Sequence, residues 1–536
     1  MLKVDLELLI EVTIQHLEFT HLVPLLIFKK LTMKKIFKFS LLALFLGFVS
    51  CDDAIDINQA DELTEDNAYQ TVTDLQTGLN GVYAAYTPDA GSNGTADIIL
   101  FNELFTDGVK RGVNSSGQGN QEYSFIIQPG TQFPGTLWSS RYALINYSNR
   151  LLKAWDRIFP TLESASEIEQ ANQIKAQALT LRALAHFELL QYFSPDYQNP
   201  SAPGVIIMDF VPEIVDVYPR NTTGEVFEFI NNDLTEASDL IGDFYLRETA
   251  VSYEAYYINE RVIKAIQARV ALCEGNYTLA GTYVDAVGDD GYYDLVSGDN
   301  YRTMYTEDAL TVENIWTLAR KDGDNPVVSL FYANGATIDG SPFFELSYGL
   351  YDSFDVDGDG DADPDSDIRL GGILLQPTSV VSNDGNDILL IGKYPGGQFG
   401  QSINDIKIIR WAEMLLIRAE VQARAGQLED AAATVRDLRS NRYTVNVPTF
   451  SYGTIDIALR DILKERRKEL AFEGHRYIDL KRLGAELGIG IDRDSRDCAS
   501  FAAPCNLPAG DYRFTMPIPR SEINANPSIE QNLGYN

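Results

Sequence analysis

The 536-residue chain is 45% hydrophobic and 22% charged, with 28 Tyr and 26 Phe against 4 Trp, a globular composition that excludes a disordered protein. Its formal net charge of −34 sets up a negative field that repels nucleic acid and anionic membrane surfaces and tolerates neutral or cationic ligands. Four His and four Cys are too few for a His-rich metal site or a disulfide framework, and one pair at most is expected, Cys498 with Cys505.

Residues 1–32 carry acidic positions where an export signal is basic, and read as an extension upstream of a start at Met33. From there the chain has a basic stretch, Met33–Lys38, and an apolar run, Phe39–Val49, too short to span a bilayer, so residues 33–50 are predicted to be a signal peptide. Phe48-Val49-Ser50-Cys51 resembles a bacterial lipobox, which makes Cys51 the expected lipidated N-terminus of the mature protein. His16 and His21 fall upstream, leaving His186 and His475 in the mature chain and no basis for a His-dependent triad. Residues 51–66 are polar and acidic and read as a lipidated tether.

Helical periodicity follows at 67–86, 137–157, 165–193, 223–241, 259–287, 409–441 and 455–473. Thr222 and Glu225 have the spacing of a capping box. Ala268, Gly275, Ala280 and Ala419, Gly426, Ala431 repeat one spacing, which suits two close helical hairpins of tetratricopeptide type. The stretches 87–136, 288–310 and 331–408 exceed ordinary loops and are expected to hold short strands and functional surface. Their Tyr123, Phe125, Phe133, Tyr292, Tyr293, Tyr301, Tyr332, Phe343 and Tyr348 are candidate rings for stacking on sugar faces. The four Trp, at 138, 155, 316 and 411, fall in helix or strand patterns and are expected in the core.

Between Asp355 and Asp367 the carboxylates alternate. Asp355, Asp357, Asp359, Asp361 and Asp363, with Gly360, reproduce the start of a calcium loop, although Ser366 stands where an EF-hand has its bidentate Glu. No catalytic cofactor is expected, only a structural calcium ion. Glu465, Glu469 and Glu473 lie four apart in the last block, where a salt-bridged face accounts for them better than acid–base catalysis.

The segment Leu463–Arg482 resembles the SusD/RagB signature E-R-x-x-E-L-x-x-E-G-x-R-x-x-D-L-x-R. Further matches follow in the family's order. Trp138–Asn146, Arg182–Phe187, Pro219-Arg220 and Thr222–Asp233, and Arg410–Glu420 resemble its helices, and Pro517-Ile518-Pro519, Glu522, Asn526-Pro527 and Gln531-Asn532 its ending. Asp52 and Asp53 are similar to the surface-export tag of Bacteroidetes lipoproteins.

The resemblance implies a mainly α fold, a tetratricopeptide-like scaffold carrying a loop-rich, short-strand-containing ligand face. Its N-terminal region would be 67–250 and its C-terminal region 251–536, intertwined in one body. It further implies a lipoprotein on the outside of the outer membrane that captures oligosaccharides for a SusC-like TonB-dependent transporter and catalyses nothing; peptide cargo, as in RagB-type relatives, is the alternative. A secreted glycoside hydrolase and a pure protein-interaction scaffold fit less well, because no carboxylate pair stands out and the aromatic loops would have no use.

Overall fold

Every predicted helical block contains helix, and side-chain caps mark where several begin. Helix α1 (Val72–Ala85) starts at Thr71, whose hydroxyl accepts from Asp74 N–H while the Asp74 carboxylate accepts from Thr71 N–H at 2.8 Å. Helices α2 (Ile98–Phe105), α3 (Gln132–Ile158) and α4 (Ala165–Phe193) follow. Helix α5 (Thr223–Leu240) opens with the expected capping box, Thr222 N–H donating to Glu225 at 2.8 Å. Asn259 caps α6 (Glu260–Glu274), which turns directly into α7 (Tyr277–Gly288); α8 (Trp411–Arg424) turns as directly into α9 (Leu428–Ser440). Gly275 and Gly426 occupy these turns with φ of +85° and +76°, values an L side chain rarely adopts, and the paired alanines at 268, 280, 419 and 431 are fully buried. The two hairpins stack through α7 and α8, where a Cβ on Gly288 would meet the Trp411 ring at 2.3 Å. Helices α10 (Ile455–Glu469) and α11 (Arg476–Leu487) complete the scaffold.

The computed structural model describes residues 65–536 apart from 87–97, 113–114, 214–215, 243–254, 289, 333–341, 357, 359–361, 363–365, 374–387, 397–399, 401, 499–502 and 536. The extension, signal peptide and Cys51 expected from the sequence lie outside the described residues, as do Asp357, Asp359, Asp361 and Asp363 of the acidic loop. Among the described residues no helix is long and apolar enough to cross a membrane.

Among the described residues there are three antiparallel strand pairs, two of which join distant segments of the chain. Strand β1 (Val109–Arg111) pairs with β3 (Phe344–Leu346), β2 (Asn314–Leu318) with β4 (Ile406–Arg410), and β5 (Ile491–Asp492) with β6 (Asn506–Leu507). The β2–β4 register sets Asn314 against Arg410, which brings Glu313 beside the guanidinium of Arg410. Cys498 and Cys505 form a disulfide with Cα atoms 5.6 Å apart, while Cys273 is a buried thiol.

One correction concerns the end of α10. The signature segment stops being helical at Glu469, and residues 470–474 form a turn in which Phe472 has φ +62° and Gly474 +83°. The cause is tertiary. Phe472 is fully buried against Phe331, and its N–H donates to Glu103 at 2.7 Å, two contacts that a continued helix would forfeit.

The end of the chain is tied to its first half. Asn532 Nδ2 donates to the Phe193 carbonyl at 2.8 Å and to the Met516 carbonyl at 2.7 Å, and Asn532 Oδ1 accepts from Arg220 at 2.9 Å. Met516 N–H donates to the Tyr192 carbonyl, and the Gln531 side chain closes both ways on Ile518.

Candidate ligand-binding groove

The charged signature builds a buried ionic hub. Arg369 donates to Asp367 at 2.7 Å and Glu465 at 2.6 Å; Arg410 donates to Glu469 at 2.9 Å and Glu473 at 2.8 Å; Arg442 donates to Glu313 at 2.9 Å and Glu469 at 3.0 Å. Lys393 adds a bond of 2.6 Å to Glu473. Burial alone would push these carboxyls up, but Arg410 and Lys393 outweigh it and hold Glu473 down at about 2, and Arg442, Arg410 and Arg369 hold Glu469 well below the usual carboxylate range. A carboxylate saturated by guanidinium groups can neither take nor give a proton near neutral pH, so the hub is structural. Glu473 reaches it from the turn after α10, so the three glutamates do not share one helix face.

Of the two histidines among the described residues, His186 is structural. Burial pushes His186 down to about 3, its Nε2 accepts from Met208 N–H at 3.2 Å and its Nδ1 meets the Arg182 carbonyl at 2.9 Å. Burial likewise lowers His475 to about 4.

Five of the six aromatic residues favoured for stacking are core residues. Tyr123 is fully buried, donates its hydroxyl to the Asp497 carbonyl at 2.8 Å, and lies 3.9 Å from the Arg493 guanidinium. Phe133 stacks on Phe101 at 3.8 Å between centroids, and Phe125 meets Phe105 edge to face. Tyr301 lies on the backbone of Gly372 beneath Arg442, and Tyr348 sits in the core under the loops with Leu346 and Phe354. Their rings are spent on packing and cation contacts, which leaves no face for a ligand. Tyr292 alone is open, at 38% exposure, with Arg261 over its ring at 4.4 Å. Trp138, Trp316 and Trp411 are buried as expected.

An open groove of about 560 Å³ forms elsewhere, where three segments meet. Helix α1 contributes Asn80, Tyr83 and Ala84, the residues leading into α6 contribute Tyr256 and Tyr257, and the exit of β2 contributes Arg320, Lys321, Asp324 and Asn325. The rings are held rigidly. Tyr83 donates its hydroxyl to Gln177 at 2.7 Å and accepts from Ile258 N–H at 2.9 Å, and Tyr257 stands edge-on to it with centroids 6.2 Å apart. Tyr256 donates to Asp405 at 2.8 Å, and the second oxygen of that carboxylate accepts from Arg320 N–H at 2.8 Å, so one buried group fixes both the ring and the rim. The rim then turns tightly, Lys321 N–H donating to Asp324 at 2.9 Å ahead of the left-handed Gly323, φ +91°.

Partly exposed aromatic faces with a guanidinium, an ammonium, amides and one carboxylate at the edge can hold a polar ring compound by stacking and hydrogen bonds. Asp324 is the one carboxylate among the described lining residues, so those residues do not supply the paired acids that glycoside hydrolysis needs. Sequence reading missed these residues. A Tyr doublet just before the Asn259 cap, and a Gly-containing polar turn after a strand, are the signals that could have found them.

Residues 392–535 match the model of the SusD family, and residues 61–261 match a second model described as "Starch-binding associating with outer membrane". The chain belongs to the SusD family. Among curated SusD relatives, SusD-like protein P2 of Formosa agariphila is 23% identical over 540 residues, covering 94% of this chain and all of the relative. A SusD-like protein of Bacteroides ovatus is 28% identical over 244 residues, 41% of this chain and 40% of the relative. The crystal structure of a SusD superfamily protein from Bacteroides thetaiotaomicron superposes with a TM-score of 0.70 at 25% identity, covering 86% of this chain and 100% of that one. A SusD-like protein described as laminarin-binding shares the fold, with a TM-score of 0.64 at 21% identity over 87% of this chain and all of that one.

Proposed function

We propose that this SusD-family chain is a cell-surface binding protein that captures oligosaccharides in the Tyr83–Tyr256–Tyr257 groove and hands them unchanged to a SusC-like TonB-dependent transporter. The observation that carries this reading is the groove itself. Hydroxyl tethers pre-orient Tyr83 and Tyr256, so little freedom is lost when a sugar face stacks on them, and the rim supplies donors and acceptors for hydroxyl groups. The named properties of relatives agree with it, since one matched model describes starch binding with outer-membrane association and one structural neighbour is described as laminarin-binding. Peptide cargo is the weaker reading, because the rim offers Arg320 and Lys321 against the single Asp324 and does not favour the cationic peptides that the net charge would attract. Acyl chains on Cys51 would hold the protein at the outer membrane, facing outward, and a calcium ion would neutralise the acidic loop, where Asp355 already accepts from Gly358 N–H at 2.8 Å.

The test is calorimetric titration of purified protein with laminarin and starch oligosaccharides, with chromatography of the sugar afterwards. Micromolar binding with intact ligand is expected, and binding weakened at least tenfold in the Tyr256→Ala, Tyr257→Ala double variant. Cleaved product that disappears on mutating one Asp or Glu, or undiminished binding by that double variant, would overturn the proposal.

A further inference from the structure

A second groove, of about 590 Å³, lies against the same helix as the first. It is lined by Tyr69, Thr77, Gly78, Gly81, Ala85 and Tyr147, and Ala84 lines both grooves. Helical geometry accounts for the sharing. At about 100° per residue, Asn80 and Tyr83 face one side of α1, Gly78 and Ala85 the other, and Gly81 and Ala84 the ridge between. Where Gly81 and Ala84 form it, that ridge carries one hydrogen and one methyl group, with Thr77 a turn earlier, so among the described residues no long side chain walls the grooves apart.

The two glycines of α1 differ in a way that points to a ligand. Gly78 has a packing reason, because a Cβ there would meet the Tyr69 ring at 2.5 Å. Gly81 has none among the described residues, where a Cβ would meet nothing within 4 Å. Mid-helix Gly costs about 1 kcal/mol relative to Ala, so its place at an exposed ridge is a loss to the helix that clearance above the ridge would explain. Beyond it stands Tyr147, 52% exposed, a large ring offered to solvent from a helix that buries its other face.

We infer that the second groove is an outer subsite for the same oligosaccharide, which crosses α1 over Gly81 and Ala84 so that Tyr147 stacks on a unit remote from Tyr256 and Tyr257. This rests on the oligosaccharide reading and deepens it, naming the ligand class as chains several units long rather than mono- or disaccharides. An α-helix is roughly 10 Å across with its side chains, so only an extended chain reaches both sets of rings.

The experiment measures affinity against chain length, using oligomers of two to eight units of laminarin or of starch, whichever polymer retards the wild-type protein in a native gel. Affinity is expected to rise with length and then level off. Tyr147→Ala and Gly81→Gln, two exposed changes that the fold accommodates, should cut the affinity of the longest oligomers about fivefold or more and leave the shortest unchanged. Tyr257→Ala should weaken all lengths. If Tyr257→Ala weakens binding while Tyr147→Ala and Gly81→Gln match the wild type at every length, the second groove has another occupant and this inference fails alone. If neither polymer is bound, the oligosaccharide reading fails and takes this inference with it.

Discussion

The hub around Arg410 and the groove around Tyr256 are both rich in charge and hydrogen bonds, yet they treat water in opposite ways. In the hub, Arg369, Arg410, Arg442, Glu313, Glu465 and Glu469 have no more than 1% exposure, and each carboxylate meets at least one guanidinium. In the groove the polar groups stand at a wet rim and the rings are only partly covered. Desolvated charge is tolerated where every partner is present and fixes a unique arrangement of loops; groups meant for a ligand keep their solvent until the ligand replaces it. The lesson is that the longest signature in the sequence marks the structural region, while the functional candidate lies where the signature is silent.

The largest effect should come from breaking the hub. Arg410→Ala would leave Glu313, Glu469 and Glu473 short of their shared partner and destabilise the protein by about 3–5 kcal/mol, read as a lowered urea midpoint or loss of soluble protein. The equivalent removal in the groove, Tyr256→Ala, should change stability by less than about 1 kcal/mol.

Acid should expose the same contrast. Glu473 is held at about 2 in the fold against an ordinary value of 4.5, so its contribution is complete above pH 4.5 and is lost as the pH falls towards 2. Glu103 behaves oppositely. Burial pushes it up to about 7, so folding disfavours its ionised form, and stability falls as the pH rises from 4.5 through 7 by about 3 kcal/mol. Glu103→Gln keeps an oxygen for the Phe472 N–H and should remove that decline, which denaturant titrations at pH 5 and pH 8 will show.

Smaller effects are expected at the surface. Tyr257→Ala should weaken oligosaccharide binding about tenfold, equivalent to about 1.4 kcal/mol, with little change in folding stability. Calcium at ten times its Kd should raise stability by roughly 1.4 kcal/mol, seen as a melting temperature that drops by a few degrees on adding chelator. An unchanged melting temperature would mean the acidic loop is merely solvated.

The helical scaffold could be read from the chain because its determinants are local. Thr222 with Glu225, the alanines flanking Gly275 and Gly426, and the apolar stripe of each block all act within a turn or two of helix. Helix α2 escaped because Ile98–Phe105 is buried on nearly every side and shows no amphipathic period. The premature end of α10 escaped because Glu103 and Phe331, which pull Phe472 out of the helix, lie far away in sequence. The groove escaped for the same reason. Its rings and rim come from residues near 83, 256 and 321, and only tertiary structure makes them neighbours. The long loops were rightly seen as aromatic, but whether a tyrosine faces a ligand or a guanidinium depends on distant partners such as Arg493 for Tyr123.

The clasp formed by Asn532 sets an order of assembly. Until that residue arrives, the Phe193 carbonyl at the end of α4 lacks its donor from Asn532, and Arg220 lacks the Asn532 oxygen. A chain made from its amino end therefore cannot complete this clasp on Phe193 and Arg220 until Asn532 is in place. A chain that stops short of Asn532 would keep Arg220 on the Phe193 carbonyl but lose the side-chain amide hydrogen bonds that tie Phe193 and Arg220 to the carboxyl end, a loosening that proteases can exploit.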